Sequence, residues 1–203
     1  MAVKAVIAHV SDAVLAERRR TGLDRWDEMW DGVLHMAPAP NYEHQRILDT
    51  LIIFLAPLLE KSARGTLRSG INVFHERSPK ENYRIPDLTF VARGRELIVA
   101  TDGISGGAPD AVIEIRSPED ETYDKLPFFA ALGVTEVIVI DRETKVPAVY
   151  RLVGLQYVVV RADRDGWVTS ETLDLRLRGS DSESERSKLV IEDRRDPSNR
   201  NAI

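Results

Sequence analysis

Two carboxylates stand where the surrounding residues call for apolar side chains or a plain strand start. In "AVIEIRS" (111–117), Glu114 interrupts a run that otherwise reads as a buried strand. Strand alternation puts Ala111, Ile113 and Ile115 on one face and Val112, Glu114 and Arg116 on the other. A charge in a low-dielectric core costs on the order of several kcal/mol unless it is paired or binds a metal, so Glu114 must be satisfied or used. In "RIPDLTFV" (84–91), Asp87 follows a proline at the start of another strand, where a side chain can face a cleft at a sheet edge. If these strands pair, Asp87 and Glu114 converge. Two hard carboxylate oxygens, with an adjacent backbone carbonyl and waters, suit Mg²⁺ or Mn²⁺ and not zinc. A nearby lysine or arginine would then orient a water or steady the charge on a phosphate.

The elements that must position these residues can be read from pattern. "SDAVLAERRR" (11–20) reads as a short helix capped by Ser11 or Asp12 and ended near Gly22. Asp31-Gly32, between the runs of "RWDEMWDGVLHM" (25–36), predicts a hairpin. Asn41 can cap a long helix over about 42–63, where Ile47, Leu48, Leu51, Ile52, Leu55, Leu58 and Leu59 recur at helical spacing, and Pro57 should kink it or end it early. Strands are expected over 66–76 and 86–92. A strand, helix, strand unit follows: "AVIEI", a helix near 124–132 ended by Gly133, and "EVIVID" (136–141), which is apolar on both faces as a covered parallel strand would be. From residue 146 the pattern is antiparallel, with turns at Gly154 and Asp165-Gly166, so the sheet is mixed. Residues 1–177 read as one domain, and the polar segment 178–203 as a flexible tail.

Composition narrows the function classes. The chain has 203 residues, 43% hydrophobic and 30% charged, enough for one sizeable core. It has no cysteine, which excludes thiolate metal sites, disulfides and a cysteine nucleophile. No apolar run approaches the roughly 20 residues of a membrane span and none reads as a signal peptide, so a soluble, cytoplasmic protein is expected. The net charge of −5 offers no global attraction to nucleic acid.

Taken in order, "WDEMWDGVLHM", "PAPNYEHQ", "YRIPDL", "VIEIRSPEDETYDKLPFFAALGVTEVIVID" and "VPAVYRL" resemble the Uma-type restriction endonucleases of the PD-(D/E)xK superfamily. The resemblance implies an α/β (α+β) fold, a restriction-endonuclease-like mixed β-sheet flanked by helices, and a Mg²⁺ (or Mn²⁺) nuclease site acting on DNA, less readily on RNA. It implies that Asp87 and Glu114 are the two acidic positions of the motif and the metal ligands. The lysine position of the motif holds Arg116, and the displaced Lys125 takes the missing role; arginine is never deprotonated, which leaves Arg116 a phosphate contact at most. His44 and Glu28 match further family positions, and Asp110 is a candidate to support Glu114 from behind. Endonucleases that cut both strands pair two sites, so a homodimer is expected. Plainer readings stand beside these: Asp87 as a turn cap, Glu114 in an ion pair with Arg116 or Lys125, Lys125 as a snorkelling lysine, His44 as a helix-start residue, and the whole chain as a non-catalytic binding module.

Overall fold

A computed structural model of the chain describes residues 5–75, 78–180 and 188–203. After strand β1 (Ala5–Ile7), Ser11 caps helix α1 (Asp12–Thr21) by accepting from the Val14 amide, and Gly22 ends it in the left-handed conformation. No residue of α1 is buried; Arg18 fastens it to Asp27 through two hydrogen bonds of 2.5 and 2.8 Å. Asp31 and Gly32, both at positive φ, close the expected hairpin of β2 (Asp27–Trp30) and β3 (Val33–Met36).

Asn41 caps α2 (Tyr42–Ala56) by accepting from the His44 amide, and the apolar stripe buries Ile47, Leu48, Leu51 and Leu55. The α-helix stops at Ala56, and Pro57–Lys61 continues as a single π-helical turn. Pro57 has no amide to give the Ile53 carbonyl, and the wider turn accommodates that loss while Leu59 still reaches the core.

The strand expected over 66–76 is two strands in two sheets. Gly70, at φ 59°, turns the chain between β4 (Gly65–Ser69) and β5 (Asn72–Phe74). The chain continues through β6 (Tyr83–Arg84), β7 (Leu88–Ala92), β8 (Val99–Ala100), β9 (Gly103–Ile104) and β10 (Ala111–Arg116). A 3₁₀ turn, Tyr123–Lys125, leads into α3 (Leu126–Leu132), ended by Gly133. Then come β11 (Glu136–Asp141), β12 (Pro147–Val153), β13 (Gln156–Val159), β14 (Val168–Ser170), β15 (Leu175–Ser180), β16 (Lys188–Asp193) and β17 (Arg200–Ala202).

The central sheet has the order β13-β12-β11-β10-β7-β4, with β10 and β11 parallel and the other neighbours antiparallel. This is the expected mixed sheet flanked by helices. Ala111, Ile113 and Ile115 share one core with the buried stripe of α2, and Val112 shares the other with Phe128 and Phe129 of α3 and Val73 of β5. A second sheet runs β1-β3-β2-β6-β5-β9-β8, and a third runs β14-β15-β16-β17. Among the described residues no helix is long and apolar enough to cross a membrane.

The C-terminal segment differs from the flexible tail its polarity suggests. Outside residues 181–187, which lie beyond the described residues, it completes β15 and forms β16 and β17, and Leu189, Ile191 and Ile203 are buried in the main core. Two apolar residues at period two suffice for one face of a short strand, yet they are too few to stand out in a charged stretch. Glu136, wholly buried at the start of β11, joins this third sheet to the central one. It accepts from the Ser170 hydroxyl (2.6 Å), the Glu171 and Thr172 amides (3.2 and 3.0 Å) and Arg151 (2.9 Å). If the last sheet is part of the cooperative unit, Ile191→Ala should cost about 2–5 kcal/mol in urea unfolding, the usual cost of a core truncation. A loss well under about 1 kcal/mol would mean that β16 adds little to the fold.

Candidate active site

The sheet register brings the two carboxylates together. β7 and β10 pair as Phe90 with Ala111, Thr89 with Val112 and Leu88 with Ile113. One step further, Asp87 falls opposite Glu114, and directly opposed residues of an antiparallel pair share a face. The next step would set Pro86 opposite Ile115, but the backbone pairing ends at Leu88 and Ile113. The Ile115 amide donates instead to Asp87 Oδ2 at 2.6 Å. The strands part here, and the side chain of Asp87 occupies the place of a backbone partner.

Lys125 closes the cluster from the turn before α3. Its Nζ lies 2.8 Å from Glu28 Oε1 and 3.3 and 3.4 Å from the two oxygens of Glu114. Glu28, on β2 of the second sheet, is held on both oxygens: Oε1 accepts from the Ile85 amide and Oε2 from Trp30 Nε1, each at 2.8 Å. Glu114 has no hydrogen-bond partner other than Lys125 among the described residues. On the far side, His44 Nε2 lies 3.2 Å from Asp87 Oδ1, while His44 Nδ1 is buried with no hydrogen-bond partner. Side-chain exposure falls from 19% for Asp87 to 5% for Glu114, so the cluster opens to solvent on the Asp87 side.

Burial pushes the Glu114 carboxyl well above the ordinary carboxylate range, and Asp87 and Glu28 push the same way against Lys125. For Lys125 burial alone acts downward, but Glu114 and Glu28 outweigh it and hold the ammonium above the usual lysine range. The ammonium therefore stays charged, shared between two carboxylates.

Five of the seven residues singled out from sequence meet here: Asp87, Glu114, Lys125, His44 and Glu28. Arg116 does not join them; its guanidinium bonds Asp141 at 2.7 Å and lies 5.2 Å over the Tyr123 ring. Asp110 does not back Glu114. It stands just before β10, at the end away from Glu114, where it accepts from the Ala92 amide (2.7 Å) and Arg95 (2.6 Å) and secures the turn after β7. Two features of the surroundings went unread in the sequence. Arg84 is buried, with its guanidinium 4.1 Å from the Trp30 ring and 4.3 Å from that of Phe128, and burial pulls its pKa down to about 10. His35 stacks on Trp30 at 4.1 Å and bonds Glu121 at 2.9 Å. The signal for both was Trp30, two residues after Glu28 on the same strand face.

Among the described residues, no three His, Asp or Glu side chains form a ligand cluster on their own. That does not fit zinc, which takes three or four protein ligands. Two facing carboxylates, one of them short of partners, do fit a cation that takes oxygen ligands and keeps several waters, as Mg²⁺ does.

The profile of the Uma2 family, described as "Putative restriction endonuclease", matches residues 21–179. No curated protein matches the chain. Among solved structures, a "putative nuclease belonging to DUF820" from Anabaena variabilis is similar in fold, with a TM-score of 0.59, 18% identity, and coverage of 72% of this chain and 82% of that one.

The cluster makes an asymmetric prediction for stability without divalent metal. Glu114→Gln removes a buried charge and leaves Lys125 paired with Glu28, so it should be as stable as wild type or more so. Lys125→Met leaves two buried carboxylates without their cation and should cost about 3–5 kcal/mol. Chemical denaturation at pH 7 with a chelator checks both, and a strongly destabilised Glu114→Gln would make Glu114 half of an ordinary structural pair.

Proposed function

The chain belongs to the Uma2 family, and from that membership we propose that it is a Mg²⁺- or Mn²⁺-dependent endonuclease hydrolysing phosphodiester bonds of DNA, with RNA the second choice. The observation that carries this reading is Glu114. It is a buried carboxylate opposite Asp87 whose only neutralising contact among the described residues is a long one to a lysine already engaged by Glu28. A structural ion pair has no need of the second carboxylate or of the unfilled acceptor sites. A divalent cation uses both.

In this reading Asp87 and Glu114 hold the metal, as the two acidic positions of a PD-(D/E)xK site. When bound, the metal supplies an activated water and offsets negative charge on the phosphate. Lys125 replaces the lysine that Arg116 displaces from the motif. Fixed between Glu28 and Glu114 as a charged donor, it steadies the phosphate oxygens and orients the water; it is not a base. Glu28 positions Lys125, and His44 sets the rotamer of Asp87 through its contact with Oδ1. Arg116, committed to Asp141, takes no part in the chemistry. A chain with one such cluster among its described residues cuts both strands of a duplex as a homodimer.

Metal should raise the melting temperature of the wild type. At about 100-fold over the dissociation constant, linkage adds roughly 2.7 kcal/mol. Glu114→Gln should gain little. Lys125→Met should keep the metal response while its cleavage of plasmid DNA falls by about 10²–10³, the usual loss for one preorganised donor. A wild type indifferent to both metals and inert on DNA would overturn the proposal in favour of a non-catalytic module.

A further inference from the structure

Beside the catalytic cluster, a cleft of about 390 Å³ opens where Asp87 is most exposed. Its walls include Arg25, Trp26, Gln45, Ser69, Gly70 and Asp87 itself. Trp26 is half-buried and Arg25 exposed, with the guanidinium 4.9 Å from the indole centroid. The indole is pressed against Gly70, where a Cβ would come within 3.3 Å of the ring, and the Gly70 amide in turn donates to the Asp87 carbonyl at 3.3 Å. An aromatic ring is thus tied through one backbone hydrogen bond to the residue that faces Glu114. Gln45 follows His44 on α2 and lines the same space, so α2 borders both the cleft and Asp87.

The indole is left half-open in the cleft wall. The Arg25 guanidinium lies over the ring and adds a second flat, cationic surface to the wall. Ring and guanidinium together match what unpaired bases stack on in nucleic-acid binding proteins. The volume lies at the lower end of the roughly 300–1,000 Å³ usual for ligand clefts, and suits one nucleotide better than a duplex. We propose that this cleft is a nucleobase subsite: the base next to the scissile phosphate leaves its stack and lies against Trp26, with Arg25 over it or on the adjoining phosphate. The inference rests on the nuclease reading, whose phosphate it places at Asp87. It adds a preference for single-stranded, frayed or distorted substrate, in which a base is free to enter.

The test uses the full chain in a chelator, so that nothing is cut, and fluorescence anisotropy of a short labelled single strand. A matched strand carrying abasic sites keeps the phosphates and removes the bases. Wild type should bind the base-containing strand more tightly, and Trp26→Ala should weaken that binding by about tenfold, the usual scale for loss of one stacked base. The same variant should leave the abasic strand unaffected. Trp26→Phe, which keeps an aromatic face, should recover most of the loss, and thermal melts of both variants establish that they are folded. Equal binding of both strands by wild type, no binding of either, or an equal loss on both strands in Trp26→Ala would overturn the subsite. The two proposals fail separately: unchanged KM for cleavage in Trp26→Ala removes the subsite alone, while base-dependent binding without cleavage in any metal removes the nuclease alone.

Discussion

One ammonium group organises this protein. Lys125 is held between Glu28 of the second sheet and Glu114 of the central sheet, at 2.8 and 3.3 Å. Each of the three side chains is largely withdrawn from water, and a buried charge without its partner is strongly destabilising. The hairpin carrying Glu28, the strand carrying Glu114 and the turn before α3 are therefore drawn to one point by a single charge. The shell around Glu28 follows the same logic: Trp30 and the Ile85 amide hold its oxygens, and Arg84 packs against the Trp30 ring.

Two buried glutamates on neighbouring parallel strands show the difference between a structural carboxylate and a poised one. Glu136 accepts from a hydroxyl, two backbone amides and an arginine, and its acceptor sites are filled by the chain itself. Among the described residues Glu114 receives only the two long contacts from Lys125. Burial is similar and chemistry differs. Glu136 welds two sheets, while Glu114, in register with Asp87, keeps acceptor capacity that the described residues leave unfilled.

Much of this was legible in the residues. The alternation of "AVIEIRS" gave the face of Glu114, and the proline before Asp87 marked the end of a ladder, because both are local properties of a strand. Asn41, Gly22 and Asp31-Gly32 act within a few residues of themselves and were read correctly for the same reason. What escaped depends on contacts far apart in sequence. Periodicity shows which way a side chain points but not what lies opposite, so the commitment of Arg116 to Asp141 and of Asp110 to Arg95 could not be seen. Gly70 in a run of strand formers gave no sign that the chain changes sheets there. The short apolar alternation of β16 was masked by the charges around it.

The bond from the Ile85 amide to Glu28 Oε1 has a further consequence. Ile85 lies between β6 and β7, so its amide is protected by a side chain and not by a ladder. Because β2 and β6 are neighbours in the second sheet, this bond opens when Glu28 swings out of its place beside Lys125, and that amide then meets solvent while the β10–β11 amides stay closed. Hydrogen exchange at this single position therefore measures how often Glu28 leaves the lysine–carboxylate cluster, separately from how often the protein unfolds.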